Sequence, residues 1–249
     1  MWRHGSSSKA ARGGIAVGRK AMGDEYEFEI LAARTHGRIY RRPAVSEKCD
    51  LLLVGFHGYG ESAEDLIREL DRIPGAEEWS LAAIQGLHRL YNRRTGDVVA
   101  SWMTRQDREI AIADNLTYVG DALRRLQAEQ ADDTPVVYVG FSQGTAMAYR
   151  SAAGIDSPCG GVIALGGDVP PELAEADLGG FPPVLIGRGD RDEWYEERKL
   201  SKDLELLASL GVSCASVEFS GGHEWTDDFR SEASRWIRKT VLSRLGESR

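Results

Sequence analysis

Short continuous apolar runs alternate along this chain with segments whose apolar residues recur every three or four positions. The runs at 51–56 and 136–141 have the pattern of buried strands, and 80–85, 161–165, 184–186 and 212–219 read as further strands. Between them, 62–73 carries Leu66, Ile67, Leu70 and Ile73 at helical spacing, with Ser62 and Asp65 as a capping pair. Residues 106–127 predict a long helix striped by Ile110, Ala113, Leu116, Val119, Leu123 and Leu126. Helices are also predicted over 143–153 and 196–210. A last one carries Phe229, Ala233, Trp236, Ile237 and Leu245. Ahead of all these, 25–33 alternates polar and apolar residues, and 38–45 is its expected hairpin partner.

Strands alternating with helices call for a mostly parallel central sheet with helices on both faces, an α/β fold. No internal repeat or low-complexity linker interrupts the pattern, so residues 23–249 are expected to form one domain. Residues 1–22 differ in kind. They contain no acid, but they hold Arg3, Lys9, Arg12, Arg19 and Lys20 with a run of serines. They lack the apolar core of a secretory signal, and a disordered basic tail, or a start before Met22, is preferred to a transit peptide.

The net charge of -8 argues against general affinity for nucleic acid or anionic membranes. No apolar run approaches the roughly 20 residues of a membrane helix. The three cysteines, Cys49, Cys159 and Cys214, are odd in number and lack C-x-x-C spacing, which fits a reduced, cytoplasmic compartment.

The candidate chemistry begins at Gly140-Phe141-Ser142-Gln143-Gly144, a G-x-S-x-G motif between a predicted buried strand and a predicted helix. A turn this tight strains the serine backbone and needs glycine on either side. It presents the hydroxyl at a helix N-terminus, where free N–H groups favour negative charge. The serine then needs a base. Of five histidines only His223 follows it, in Gly221-Gly222-His223 after the last predicted strand. A metal role for His223-Glu224 fails, because Asp227 stands where H-E-x-x-H needs histidine. The acid should follow the preceding strand, where Asp190 and Asp192 both stand; Asp192 is preferred, with Asp190 as a turn residue. For the oxyanion, the candidate donors are the backbone N–H groups of Gln143 and of Tyr59, in Phe56-His57-Gly58-Tyr59-Gly60.

That loop has a rival reading. Gly58, Gly60 and Ala63 also satisfy a dinucleotide fingerprint, but Gln85 occupies the place of the ribose-binding acid.

With these residues in hand, the chain resembles the phospholipase/carboxylesterase family of the α/β-hydrolase fold, which includes the acyl-protein thioesterases. Phe56 to Ser62 is similar to that family's His-Gly oxyanion loop. Gly140 to Gly144, continued by Ala146-Met147-Ala148, is similar to its nucleophile segment. Arg188-Gly189-Asp190-Arg191-Asp192 resembles its acid motif, which supports Asp192, and Gly222-His223 its terminal Gly-His. The resemblance implies a serine esterase or thioesterase acting on a small or medium acyl substrate, without cofactor or metal. A non-hydrolytic ligand-binding protein of the same fold is the alternative. The middle departs from better-known members: Ser101-Trp102-Met103-Thr104-Arg105 replaces their Trp-aromatic-Asp run. Trp102 and Met103 are candidate acyl-pocket residues, against a buried cluster. Arg105 and Arg108 are candidate anion binders, against helix-surface pairs with Asp107 or Glu109.

Overall fold

The structure, a computed structural model, describes residues 20–22, 26–45, 49, 51–131, 133–176 and 178–243. Most of the predicted basic tail and Leu245 lie outside the described residues. The chain separates into two units between His36 and Gly37. In the first unit β1 (Lys20–Met22) pairs antiparallel with β2 (Tyr26–Phe28). The expected hairpin between 25–33 and 38–45 therefore does not form. Residues 29–38 have no regular structure, too long a stretch for a tight turn, and β3 (Ile39–Arg42) finds its partner elsewhere.

The second unit runs β4 (Leu52–Phe56), α1 (Ala63–Asp71), β5 (Ser80–Ile84), β6 (His88–Tyr91), β7 (Val98–Ser101), α2 (Arg108–Gln127), β8 (Val136–Phe141) and α3 (Gln143–Gly154). It continues through β9 (Cys159–Leu165), β10 (Val184–Gly189), α4 (Glu197–Ser209), β11 (Cys214–Phe219) and α5 (Asp227–Trp236), which runs on as a π-helical segment, Ile237–Leu242. Seven strands form one sheet in the order β3-β5-β4-β8-β9-β10-β11. All its pairings are parallel except that of β3 with β5. β3 joins in register Ile39 to Ile84, closing an otherwise open edge.

Alternate residues of the central strands feed two cores. Leu52, Val54, Phe56 and Tyr138 pack with Val119 and Leu123 of α2, Met147 of α3 and Leu207 of α4. Leu51, Leu53 and Val139 pack with Leu66 and Leu70 of α1 and Phe229 and Ala233 of α5. Strands covered on both faces can be apolar throughout, as these sequences are.

Two details depart from the sequence pattern. The buried stripe of α2 is Ala111, Asn115, Val119, Ala122, Leu123 and Leu126, so its first half is rotated from Ile110, Ala113 and Leu116. The cause is Asn115, whose buried amide donates to the carbonyls of Trp102 and Ala111 at 2.7 Å each. The antiparallel pair β6–β7 was not legible, because all four residues of β6 are exposed and show no alternation.

From β4 the chain first goes to β5 on one side and later to β8 on the other. The crevice at the C-terminal ends of β4 and β8 is thus a topological switch point, where open α/β sheets bind ligands.

Candidate active site

Ser142 joins β8 to α3 with φ 52° and ψ −119°, a conformation costing a non-glycine residue about 1–3 kcal/mol. The flanking glycines make it attainable. A Cβ at Gly140 would lie 2.4 Å from the Cα of Thr145, and one at Gly144 would lie 1.9 Å from the carbonyl oxygen of Phe56. Gly144 thus lets the first turn of α3 press on the end of β4, which brings the serine beside the 57–60 loop.

That loop is held from several sides. His57 is fully buried; its Nδ1–H donates to the Gly58 carbonyl at 2.7 Å, and its Nε2 accepts the Gly86 N–H at 3.0 Å. The Glu61 carboxylate accepts the Gly58 N–H at 2.8 Å, and Gly60 N–H reaches the Ala100 carbonyl of β7 at 2.9 Å. Among the described residues, the N–H groups of Tyr59 and Gln143 are left with no acceptor. The Gln143 side chain has a role the sequence did not reveal. It accepts the Trp102 N–H at 2.9 Å and donates to the Met103 carbonyl at 3.0 Å, tying the 101–103 segment to the serine turn.

Burial lowers the pKa of His57, and the Gly58 carbonyl offsets this only partly. Its folded pKa then lies below the unfolded value, so its contribution to stability is complete above about pH 6.5 and is lost as pH falls through the folded pKa. Glu61, pushed up by burial, has the opposite sign over that range. The clean expectation is therefore a difference: His57→Asn should reduce the loss of stability between pH 7 and 5, by at most about 1.4 kcal/mol per pH unit. Urea titrations of both proteins at several pH values measure it, and parallel pH dependences would disprove the assignment.

His223 follows β11, and its Nδ1–H donates to Asp192 Oδ2 at 2.8 Å. Asp192 is only 4% exposed, and its Oδ1 accepts the N–H groups of Trp194 and Tyr195 at 2.8 Å each. Tyr195 is itself pinned by its hydroxyl to buried Asp203 at 2.9 Å and by its carbonyl to Arg188 Nε at 3.0 Å. At Gly166, φ +65°, a Cβ would lie 3.1 Å from the His223 ring, so glycine there leaves room for the pair. Asp190 is exposed, pairs with Arg191 at 3.1 Å and accepts the Gly221 N–H at 2.9 Å. It braces the histidine loop rather than the histidine.

Ser142 and His223 line one cavity of about 350 Å³. Met103 lines it too, but Trp102 does not. Trp102 is fully buried, edge-on to Phe56, and its indole N–H donates to the His57 carbonyl at 2.9 Å. It supports the loop from beneath, as the buried-cluster alternative has it, and does not reach the cavity. Arg105 is exposed and lines neither this cavity nor the larger cleft on the other side of His223. Arg108 does line the cavity, paired with Glu172 at 3.5 Å instead of Asp107 or Glu109. Arg150 and Lys199, not foreseen, line it as well. The available signal was that Arg150 is the only charged residue of α3.

The dinucleotide reading is contradicted at the start of α1. The Gln85 side chain accepts the Ala63 N–H at 2.7 Å and Ser62 Oγ that of Asp65 at 3.0 Å, so donors a pyrophosphate would need are already taken.

A mostly parallel sheet between two helix layers, with a left-handed serine on a strand-to-helix turn at its switch point, defines an α/β-hydrolase. Comparison with known families extends this: residues 44–241 match the phospholipase/carboxylesterase model. The chain belongs to that family, and so to the ester hydrolases. Among solved structures, esterase PE8 is 25% identical, with a TM-score of 0.66 over 83% of this chain and 100% of that one. A Bacillus cereus carboxylesterase is 18% identical, TM-score 0.64, over 82% and 94% of the two chains. Zea mays acyl-protein thioesterase 2 is 18% identical, TM-score 0.61, over 83% and 100%. No curated protein sequence matches. Among the described residues no helix is long and apolar enough to cross a membrane.

Proposed function

We propose that this protein is a serine carboxylesterase working through an acyl-enzyme, with Ser142 as nucleophile, His223 as general base and Asp192 as the group that orients it. With Nδ1–H committed to Asp192, the Nε2 lone pair is free to take the Ser142 proton as the hydroxyl attacks an ester or thioester carbonyl. The N–H groups of Tyr59 and Gln143 would receive the oxyanion. His223 then protonates the leaving group and activates water to release the acid. The observation that carries this reading is the strained Ser142 at the head of α3, sharing a cavity with a histidine held by a buried carboxylate. A cavity of about 350 Å³ suits a small or medium acyl group. Cys49, Cys159 and Cys214 are all free, and burial pushes the Cys159 and Cys214 thiols up to about 12, in keeping with a reducing, cytoplasmic setting.

Rapid mixing with a nitrophenyl ester tests the chemistry. A burst of one nitrophenol per chain, ahead of slower steady turnover, is the expected result. Saturable binding of esters with no hydrolysis would favour the non-catalytic receptor instead.

A further inference from the structure

The cavity that holds Ser142 is unlike the rest of this acidic protein. Three cations line it, Arg108, Arg150 and Lys199, against a single lining carboxylate, Asp168. Lys199 pairs with Asp168 at 3.3 Å, while both arginines share Glu172, which lies outside the lining. The two arginines therefore bring one positive charge more than their partner neutralises.

Arg150 is the telling member. It is 4% exposed, yet its donors are poorly matched: Nε reaches Glu172 at 2.6 Å, and Nη1 meets only the Met103 sulfur, at 3.6 Å. Among the described residues Nη2 has no acceptor at all. Burial lowers its pKa, and the pair with Glu172 offsets this only in part, as expected for an under-compensated cation. A guanidinium placed only to hold a loop would be expected to find carboxylate or carbonyl partners for its free edge as well. It stands eight residues after Ser142 on α3, roughly 12 Å along the axis at 1.5 Å per residue. Helical side chains lean toward the N-terminus, which carries the guanidinium back toward the serine.

The other side of His223 differs. There the histidine borders a larger cleft of about 1090 Å³ with Glu61, Phe141 and Trp225. A leaving group protonated by His223 would have this wider space to depart into, which would leave the smaller cavity for the acyl group.

We propose that Arg150, with Arg108 and Lys199, forms an anion subsite, and that the preferred substrates are esters or thioesters whose short acyl chain ends in a carboxylate. Met103, Ala146, Val169 and Pro170 supply apolar lining for the chain itself. The proposal rests on the acyl-enzyme reading of the same site.

The test compares the glutarate and pentanoate monoesters of one phenol, equal in chain length and leaving group. Wild-type protein should show a kcat/KM at least about tenfold higher for the glutarate ester, the lower end of what a charge-assisted hydrogen bond contributes. Arg150→Gln should reduce that ratio about ten- to a hundredfold, and Arg150→Lys should restore part of it. Arg108→Gln and Lys199→Gln, at more exposed positions, should each lower the ratio several-fold, so the test survives if Arg150→Gln does not fold. A wild-type ratio near one, or a high ratio that no variant changes, would overturn the subsite while leaving the esterase intact. Absence of turnover on both esters, with Ser142 unreactive to a fluorophosphonate, would instead overturn the reading beneath it.

Discussion

Replacing Ser142 with alanine is expected to lower ester hydrolysis by about six orders of magnitude and to abolish labelling by a fluorophosphonate. The size follows from what is removed: without the nucleophile no acyl-enzyme can form, and only the oxyanion donors and binding remain to act on water. The fold should survive, because alanine keeps the Cβ and loses a hydroxyl that makes no hydrogen bond to the described residues. Alanine also relaxes none of the backbone strain, since a Cβ at φ 52° is still disfavoured. Peptide mapping of the labelled wild-type protein, with steady-state rates for both proteins, makes the measurement. A label on another serine, or turnover retained in the variant, would refute the assignment.

The second large effect separates the two aspartates. Asp192→Asn should lower kcat by about three to four orders of magnitude with the fold preserved. The reason lies in the hydrogen bonds. Oδ1 accepts two backbone N–H groups, from Trp194 and Tyr195, so an asparagine here must keep its carbonyl oxygen on that side. Its NH2 then faces His223 Nδ1, where a donor meets a donor unless the imidazole shifts its proton to Nε2. In that tautomer the histidine has no lone pair for Ser142. Asp190→Asn should cost less than about tenfold, since an amide oxygen can still accept the Gly221 N–H. Circular dichroism beside the kinetics separates lost chemistry from lost fold. The reverse ranking would move the role to Asp190.

The sequence by itself determined the sheet-and-helix alternation, because strands buried on both faces leave continuous apolar runs at 51–56 and 136–141. It also determined the serine turn and its single downstream histidine, since a left-handed strand-to-helix turn leaves glycines at fixed offsets and only His223 follows it. The tertiary structure decided what depends on partners distant in the chain. Trp102 and Arg105 stand three residues apart in one segment, and nothing local tells which is buried. Only the packing of Trp102 on Phe56 and His57, and the clamp from Gln143, settles that. Arg150 reads as an ordinary helix residue until Glu172, 22 positions on, takes one edge of its guanidinium and leaves another without an acceptor. β3 likewise carries no mark of its partner, because an edge strand is selected by the open hydrogen-bonding row of β5, which exists only once the sheet has formed.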